Sequence, residues 1–144
     1  MATAKDFEQA IEESHKALDE IARGDPSRFF DLFSDREDAT LANPYGPPAR
    51  GRTRIEEAGR RAASNYRDGR AVEFENFAKC VTAELAYILE IERFEAKVAG
   101  SEEMVPVALR VTSVFRPEEG KWKLVHRHAD PITTRRPGES VIQT

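Results

Sequence analysis

The run Leu85-Ala86-Tyr87-Ile88-Leu89-Glu90-Ile91 sets Leu85, Tyr87, Leu89 and Ile91 at every second position, the period of a strand whose side chains point alternately to two faces. The same period recurs in Val72/Phe74, Leu109/Val111/Ser113/Phe115 and Trp122/Leu124, separated by Gly100-Ser101 and Glu118-Glu119-Gly120. Four long antiparallel strands in succession are therefore predicted. Alternation falters at Asn76-Phe77 and at Pro106, the signature of bulges or an edge, and such irregularities bend a sheet.

Upstream of the strands the period is helical. Phe7, Ala10, Ile11, Ala17, Leu18, Ile21 and Ala22 predict a first helix over about Lys5 to Arg23, closed by Gly24, since glycine accepts the left-handed cap at no steric cost. Asp25-Pro26 opens a short second helix, made apolar by Phe29, Phe30, Leu32 and Phe33. Ala39-Thr40-Leu41-Ala42 reads as a short strand, ended by the turn-rich Asn43-Pro44-Tyr45-Gly46-Pro47-Pro48. Thr53-Arg54-Ile55-Glu56 has the pattern of a capping box, and Ile55, Ala58, Ala62 and Tyr66 give a third helix one apolar face before Asp68-Gly69 turns the chain.

Helices followed by strands describe an α+β domain in which three helices pack on the concave face of a curved antiparallel sheet, together forming a cone with a pocket inside. Residues 1–132 are expected to be one domain and 133–144 a C-terminal tail. Tyr87, Leu89, Ile91, Leu109, Val111, Phe115 and Val125 make the more apolar strand face and are assigned to the interior. Ile88, Glu90, Glu92, Phe94, Arg110, Thr112, Val114, Trp122, Leu124, His126, His128 and Asp130 then fall on the outer face. Large apolar groups mixed with charges suit an interface better than bare solvent. A homodimer through Glu90, Glu92, Arg110, Trp122, His126 and His128 is the expectation.

Composition narrows the function classes. Among 144 residues, 40% are hydrophobic and 33% charged, with net charge −4. No apolar run has a membrane span's length, and Met1-Ala2-Thr3-Ala4-Lys5-Asp6 leads into an amphipathic pattern unlike a signal peptide, so no membrane partner and a cytoplasmic location are expected. The acidic balance argues against nucleic acid as a partner. Arg50, Arg52, Arg54, Arg60, Arg61, Arg67 and Arg70 are read as a solvated helix face. Cys80 is the only cysteine, which excludes an internal disulfide, and on a strand it is read as a small buried hydrophobe.

The order of elements, the Gly24-Asp25 break and the ending Gly120-Lys121-Trp122-Lys123-Leu124-Val125-His126-Arg127-His128 resemble the SnoaL-like branch of the nuclear transport factor 2-like superfamily, over about residues 7–132. The resemblance implies a cystatin-like cone fold and a pocket, in a superfamily that hosts isomerases, cyclases, dehydratases and non-catalytic association domains. Asp38-Ala39-Thr40-Leu41-Ala42-Asn43-Pro44-Tyr45-Gly46 is similar to the ketosteroid isomerase stretch that carries the catalytic Asp before a Pro. Asn43 stands at that position, and an amide takes no proton from a carbon acid. Ala17 and Ser113 fall where the isomerase oxyanion Tyr and protonated Asp would be, the latter being the carboxylic acid of the well-known ketosteroid isomerase example. The kinase association domains share Ala86-Tyr87-Ile88 and Gly120-Lys121-Trp122, but their pocket arginines fall at Leu89, Ser113 and Ala129.

The site candidates follow from the assigned interior. Asn43, Tyr45, Tyr87, Leu89, Ser113, Phe115 and Arg127 are the expected pocket residues, roofed by Phe29, Phe30 and Phe33. Arg127 either orients a ligand oxygen or snorkels at the sheet's end. His126-x-His128-x-Asp130 has the residue types of an iron or zinc site, yet i and i+4 on one straight strand lie too far apart to share an ion, so no metal is expected. No cofactor is expected either. Two functions remain: a binder of a small hydrophobic molecule, with cofactor-free isomerase, cyclase or dehydratase-type chemistry but not ketosteroid isomerisation, or a non-catalytic dimeric module with a residual pocket.

Overall fold

A computed structural model describes residues 2–144. Helix α1 spans Ala4–Ile21 and starts at a capping box missed in the sequence reading, in which the Asp6 amide donates to Thr3 Oγ1 and the Thr3 amide to the Asp6 carboxylate. Its end is set by Gly24 at φ 88°, where a Cβ would stand 2.9 Å from the Tyr66 carbonyl oxygen. Helix α2, Ser27–Leu32, opens with the Ser27 amide donating to the Asp25 carboxylate. Strands β1, Thr40–Ala42, and β2, Ala49–Arg50, precede helix α3, Arg52–Ala63.

Three sequence expectations fail around α3. Its N-cap is Gly51, without a side-chain cap, so Thr53 and Glu56 form no capping box. Tyr66 does not lie on the helix but opens strand β3, Tyr66–Val81. Asp68-Gly69 does not end an element. It is absorbed as an irregularity in β3 between Arg67 and Arg70, with Asp68 at φ 56°, a left-handed conformation that Asp tolerates. Arg67 and Arg70 therefore leave the helix: Arg67 binds the Ala99 and Ser101 carbonyls and Arg70 binds Glu95.

Strands β4, Ala86–Val98, β5, Met104–Glu118, and β6, Lys121–Asp130, complete a six-stranded sheet in the order β2-β1-β6-β5-β4-β3. All neighbours are antiparallel except β1 with β6. The three helices pack on one face of this curved, unclosed sheet. The expected irregularity near Asn76 is a register shift between Asn76 and Ala78, and Pro106 pairs only with Glu95 because β6 reaches no further along β5 than Arg110. The core is aromatic: Phe7 meets Phe115 and Trp122 edge to face at centroid distances of 5.2 and 5.3 Å.

The strand phases correct the face assignment. On β5, Leu109, Val111, Ser113 and Phe115 are buried as expected. On β4 the phase is inverted: Ala86, Ile88, Glu90, Glu92, Phe94 and Ala96 are buried, while Tyr87, Leu89 and Ile91 face outward. On β6 a bulge at Val125, between the Val114–His126 and Phe115–Leu124 pairs, changes the phase. Trp122 and Leu124 consequently join Arg127 and Ala129 inside. Cys80 is exposed rather than buried.

Candidate functional site

Between α1, α3 and the sheet lies a narrow hollow that leaves about 50 Å³ of free room for water-sized contents. Its walls are mainly apolar, with Leu18, Phe29, Tyr66, Phe74, Phe94 and Leu109 prominent. Helix α3 comes close because it presents Gly59 to the Phe30 ring.

The polar side chains on this wall are Glu92, Arg93, Arg127, Asn43, Tyr45 and Tyr66. Arg127, on β6, reaches across β5 to Glu92, on β4, and donates from its two terminal nitrogens to the two carboxylate oxygens at 2.9 and 2.8 Å. Both side chains line the hollow, with Arg127 6% and Glu92 2% exposed. Burial opposes the guanidinium's charge most strongly, but Glu92's charge and hydrogen bonds outweigh it and hold Arg127 above its ordinary range. The guanidinium also lies over the Phe29 ring, 5.6 Å from its centroid.

A second buried carboxylate follows two residues away. Glu90 is 3% exposed and is held by His15 of α1, whose Nε2 stands 2.9 and 3.1 Å from its oxygens. The imidazole lies flat on Phe74 at 3.7 Å, so Phe74 separates this dyad from the hollow that its own ring lines. At the opposite wall the Tyr45 and Tyr66 hydroxyls are 2.6 Å apart. Burial pushes the Tyr66 phenol far above its ordinary range, reinforced by the hydrogen bond with Tyr45, and it stays protonated.

Of the residues expected in the pocket, Asn43, Tyr45 and Arg127 line the hollow. Asn43 also holds its own loop: its side-chain oxygen accepts from the Tyr45 amide and its amide donates to the Ala58 carbonyl. Ser113 and Phe115 are buried but not on this wall, and Tyr87 and Leu89 lie on the outer sheet face. Of the residues expected at a dimer interface, Glu90, Glu92 and Trp122 are internal, Trp122 donating to the Thr3 carbonyl. Arg110, His126 and His128 do face outward, Arg110 binding Asp130 through two hydrogen bonds and His126 Nδ1 standing 2.8 Å from Thr40 Oγ1. Among the described residues no group of three His, Cys, Asp or Glu could hold a metal ion, and no helix is long and apolar enough to cross a membrane. Glu92, Glu90, His15 and Tyr66 were missed as site residues. The available signal was Arg127, assigned to the interior without an acid to neutralise it.

A family model described as SnoaL-like domain matches residues 8–133. No curated protein matches the chain. Among solved structures, a nuclear transport factor 2-like superfamily protein from Salmonella enterica is 18% identical, with 94% of each chain covered and a TM-score of 0.74. A ketosteroid isomerase-like protein from Erwinia carotovora is 18% identical over 88% of this chain and 94% of its own, with a TM-score of 0.71. A protein with a cystatin-like fold from Nostoc punctiforme is 18% identical over 90% of this chain and 95% of its own, with a TM-score of 0.66. At these identities the likeness is one of fold.

Proposed function

Since this chain belongs to the SnoaL-like domain family, we propose that it binds a small hydrophobic molecule in the hollow between α1, α3 and the sheet. The observation that carries this reading is an apolar hollow whose wall holds one bidentate ion pair, Arg127–Glu92, and one hydroxyl pair, Tyr45–Tyr66. Apolar walls supply affinity and a few placed polar groups supply orientation. Sugars and polyphosphates would leave many donors or charges unpaired against such walls, each costing roughly 1–3 kcal/mol.

The chemistry proposed is cofactor-free proton transfer of an isomerase, cyclase or dehydratase kind, with Glu92 as the carboxylate on the wall and the His15–Glu90 dyad behind Phe74. Ketosteroid isomerisation is not proposed, because Asn43, Ala17 and Ser113 supply neither its base nor its oxyanion acids. The experiment is a thermal-shift screen of small aromatic and terpenoid carbonyl compounds on the wild type and on Ala62→Phe, which fills the hollow from α3. Ligands that stabilise only the wild type support the reading. No stabilisation, or equal stabilisation of both proteins, contradicts it.

A homodimer through the outer sheet face accompanies this proposal. Tyr87 pairs across strands with Val114, and Val114 in turn with His126, while Leu89 pairs with Thr112 and Ile91 with Arg110. Tyr87 is 40% exposed, and Phe77 on neighbouring β3 is 65% exposed. The partly exposed apolar side chains of this mixed face support a contact between two copies of the chain.

A further inference from the structure

Resting on the reading that the hollow takes a small apolar molecule, we infer that the Phe74 ring is its door: the molecule enters from the surface cleft beside α1 when this ring swings aside, and not past the Tyr45 loop. The hollow as it stands leaves about 50 Å³ of free room, whereas a cavity that takes one benzene ring has roughly 150 Å³. Part of the wall therefore moves before a ring-sized molecule fits, because a packed interior does not stretch evenly to make room. Two spaces meet at Phe74. Its ring and Ala71 line both the hollow and an open cleft, whose other side is formed by His15, Lys16, Asp19 and Glu20 of α1 with Arg28 of α2. The partition between interior and cleft is this ring and one methyl group.

The packing singles out Phe74 as the part that yields. The other aromatic rings of the wall are held: Phe29, Tyr66 and Phe94 are at most 9% exposed, and the Tyr45 hydroxyl is bonded to that of Tyr66 on a loop that Asn43 braces against α3. Phe74 is half-buried, and its ring lies flat on the His15 imidazole, a contact that it can leave without breaking a hydrogen bond. Strand β3 is the last of the sheet and is paired on one side only. Its register with β4 shifts between Ala71 and Glu73 and again between Asn76 and Ala78, so Phe74 sits between two irregularities, where the ladder constrains it least. Ala71 is by contrast pinned, its amide donating to the Asp19 carboxylate of α1, so the ring turns beside a fixed backbone. Phe74 stands opposite Glu92 in the β3–β4 register. With the ring aside, the cleft opens onto the Arg127–Glu92 pair, and His15 borders the same space.

The door is tested with acetophenone, whose association and dissociation rate constants follow from the line shapes of the Arg127 and Ala129 amides, on the wild type, Phe74→Ala and Leu109→Ala. Leu109 lines the hollow from β5 and does not border the cleft, so its truncation enlarges the space without opening it. Loss of a wall contact raises the dissociation rate and leaves association nearly unchanged. Loss of a door raises both. Phe74→Ala is expected to raise both rate constants about tenfold or more, and Leu109→Ala to keep association within about threefold of the wild type. Association equally fast in the wild type and in Phe74→Ala overturns the door and leaves the hollow a binding site, as does an equal gain in Leu109→Ala. No binding to the wild type contradicts the reading of the hollow, and the door with it. If Phe74→Ala fails to fold, Phe74→Leu, which keeps apolar cover on His15, takes its place: a gain of about threefold or more in both rate constants is then expected, and an unchanged association rate overturns the door.

Discussion

Arg127 on β6 and Glu92 on β4 meet end-on over the strand that separates them, both terminal guanidinium nitrogens on both carboxylate oxygens at 2.9 and 2.8 Å. The contact bridges three strands in the wall of the hollow, in a place where neither charge reaches bulk water. Its geometry recovers part of the desolvation cost of both ions, so the pair is costly to break from one side only.

Arg127→Met alone should lower unfolding stability by about 3–5 kcal/mol, because Glu92 is left charged and buried. The double variant Arg127→Met/Glu92→Leu should recover a large part of that loss, since no charge then remains uncompensated. Urea denaturation measures both. A single variant as stable as the wild type would show that the pair does not form.

Gly59 is the closest approach of α3 to the core: a Cβ there would stand 2.4 Å from Phe30 Cε1. Gly59→Ala should cost about 1–3 kcal/mol through forced repacking, despite the better helix propensity of alanine. Gly100→Ala, whose added Cβ meets nothing within 4 Å, serves as the control and should be near neutral.

Burial, and secondarily the charge of His128, holds the His126 imidazole below the ordinary histidine range. The unfolded chain then binds a proton at this residue more readily than the folded one, so the contribution is intact above the unfolded value of about 6.5 and stability falls as pH drops through it. Asp38 is held low mainly by its hydrogen bonds from Arg116, and Asp130 by Arg110 against the opposing effect of burial. These carboxylates lose their contribution only in the acid range, below about 4. Denaturation of the wild type and of His126→Asn between pH 8 and 5 isolates the imidazole. The wild type should lose more stability over that interval than the variant, and an equal or smaller loss would contradict the assignment.

The outer face predicts the oligomer. Light scattering at micromolar concentration should return twice the 16.2 kDa chain mass, and Leu89→Arg should return the chain mass by placing a desolvated charge among the apolar side chains of that face. A wild-type monomer would remove the dimer from the account.

The element order and the sheet were legible because periods of 3.6 and 2 are imposed by backbone geometry whatever the residues face. The faces were less legible. On β4, Tyr87, Leu89 and Ile91 alternate with Glu90 and Glu92, and hydrophobicity alone turns the carboxylates outward. Ile88, Phe94 and Ala96 share the phase of the glutamates, and all are buried with them, because His15 and Arg127 meet the carboxylates inside. On β6 the bulge at Val125 inverts the phase within one strand, and nothing local to that residue announces it. Tyr66 was read as helical because its spacing from Ile55, Ala58 and Ala62 fits a helix, although α3 stops at Ala63. Asn43 and Tyr45 were reached from a turn, without the faces, and Arg127 from an inward phase on β6 that the structure keeps at that residue.

The claim that the hollow is a ligand site is tested most directly by mapping amide chemical shifts during titration with acetophenone. Tyr66, Phe94, Arg127 and Ala129, which line one hollow from β3, β4 and β6, should shift together and saturate with one dissociation constant, while Thr112 and His128 on the outer face stay still. Saturable shifts confined to the outer face, or no saturable shifts at all, would contradict it.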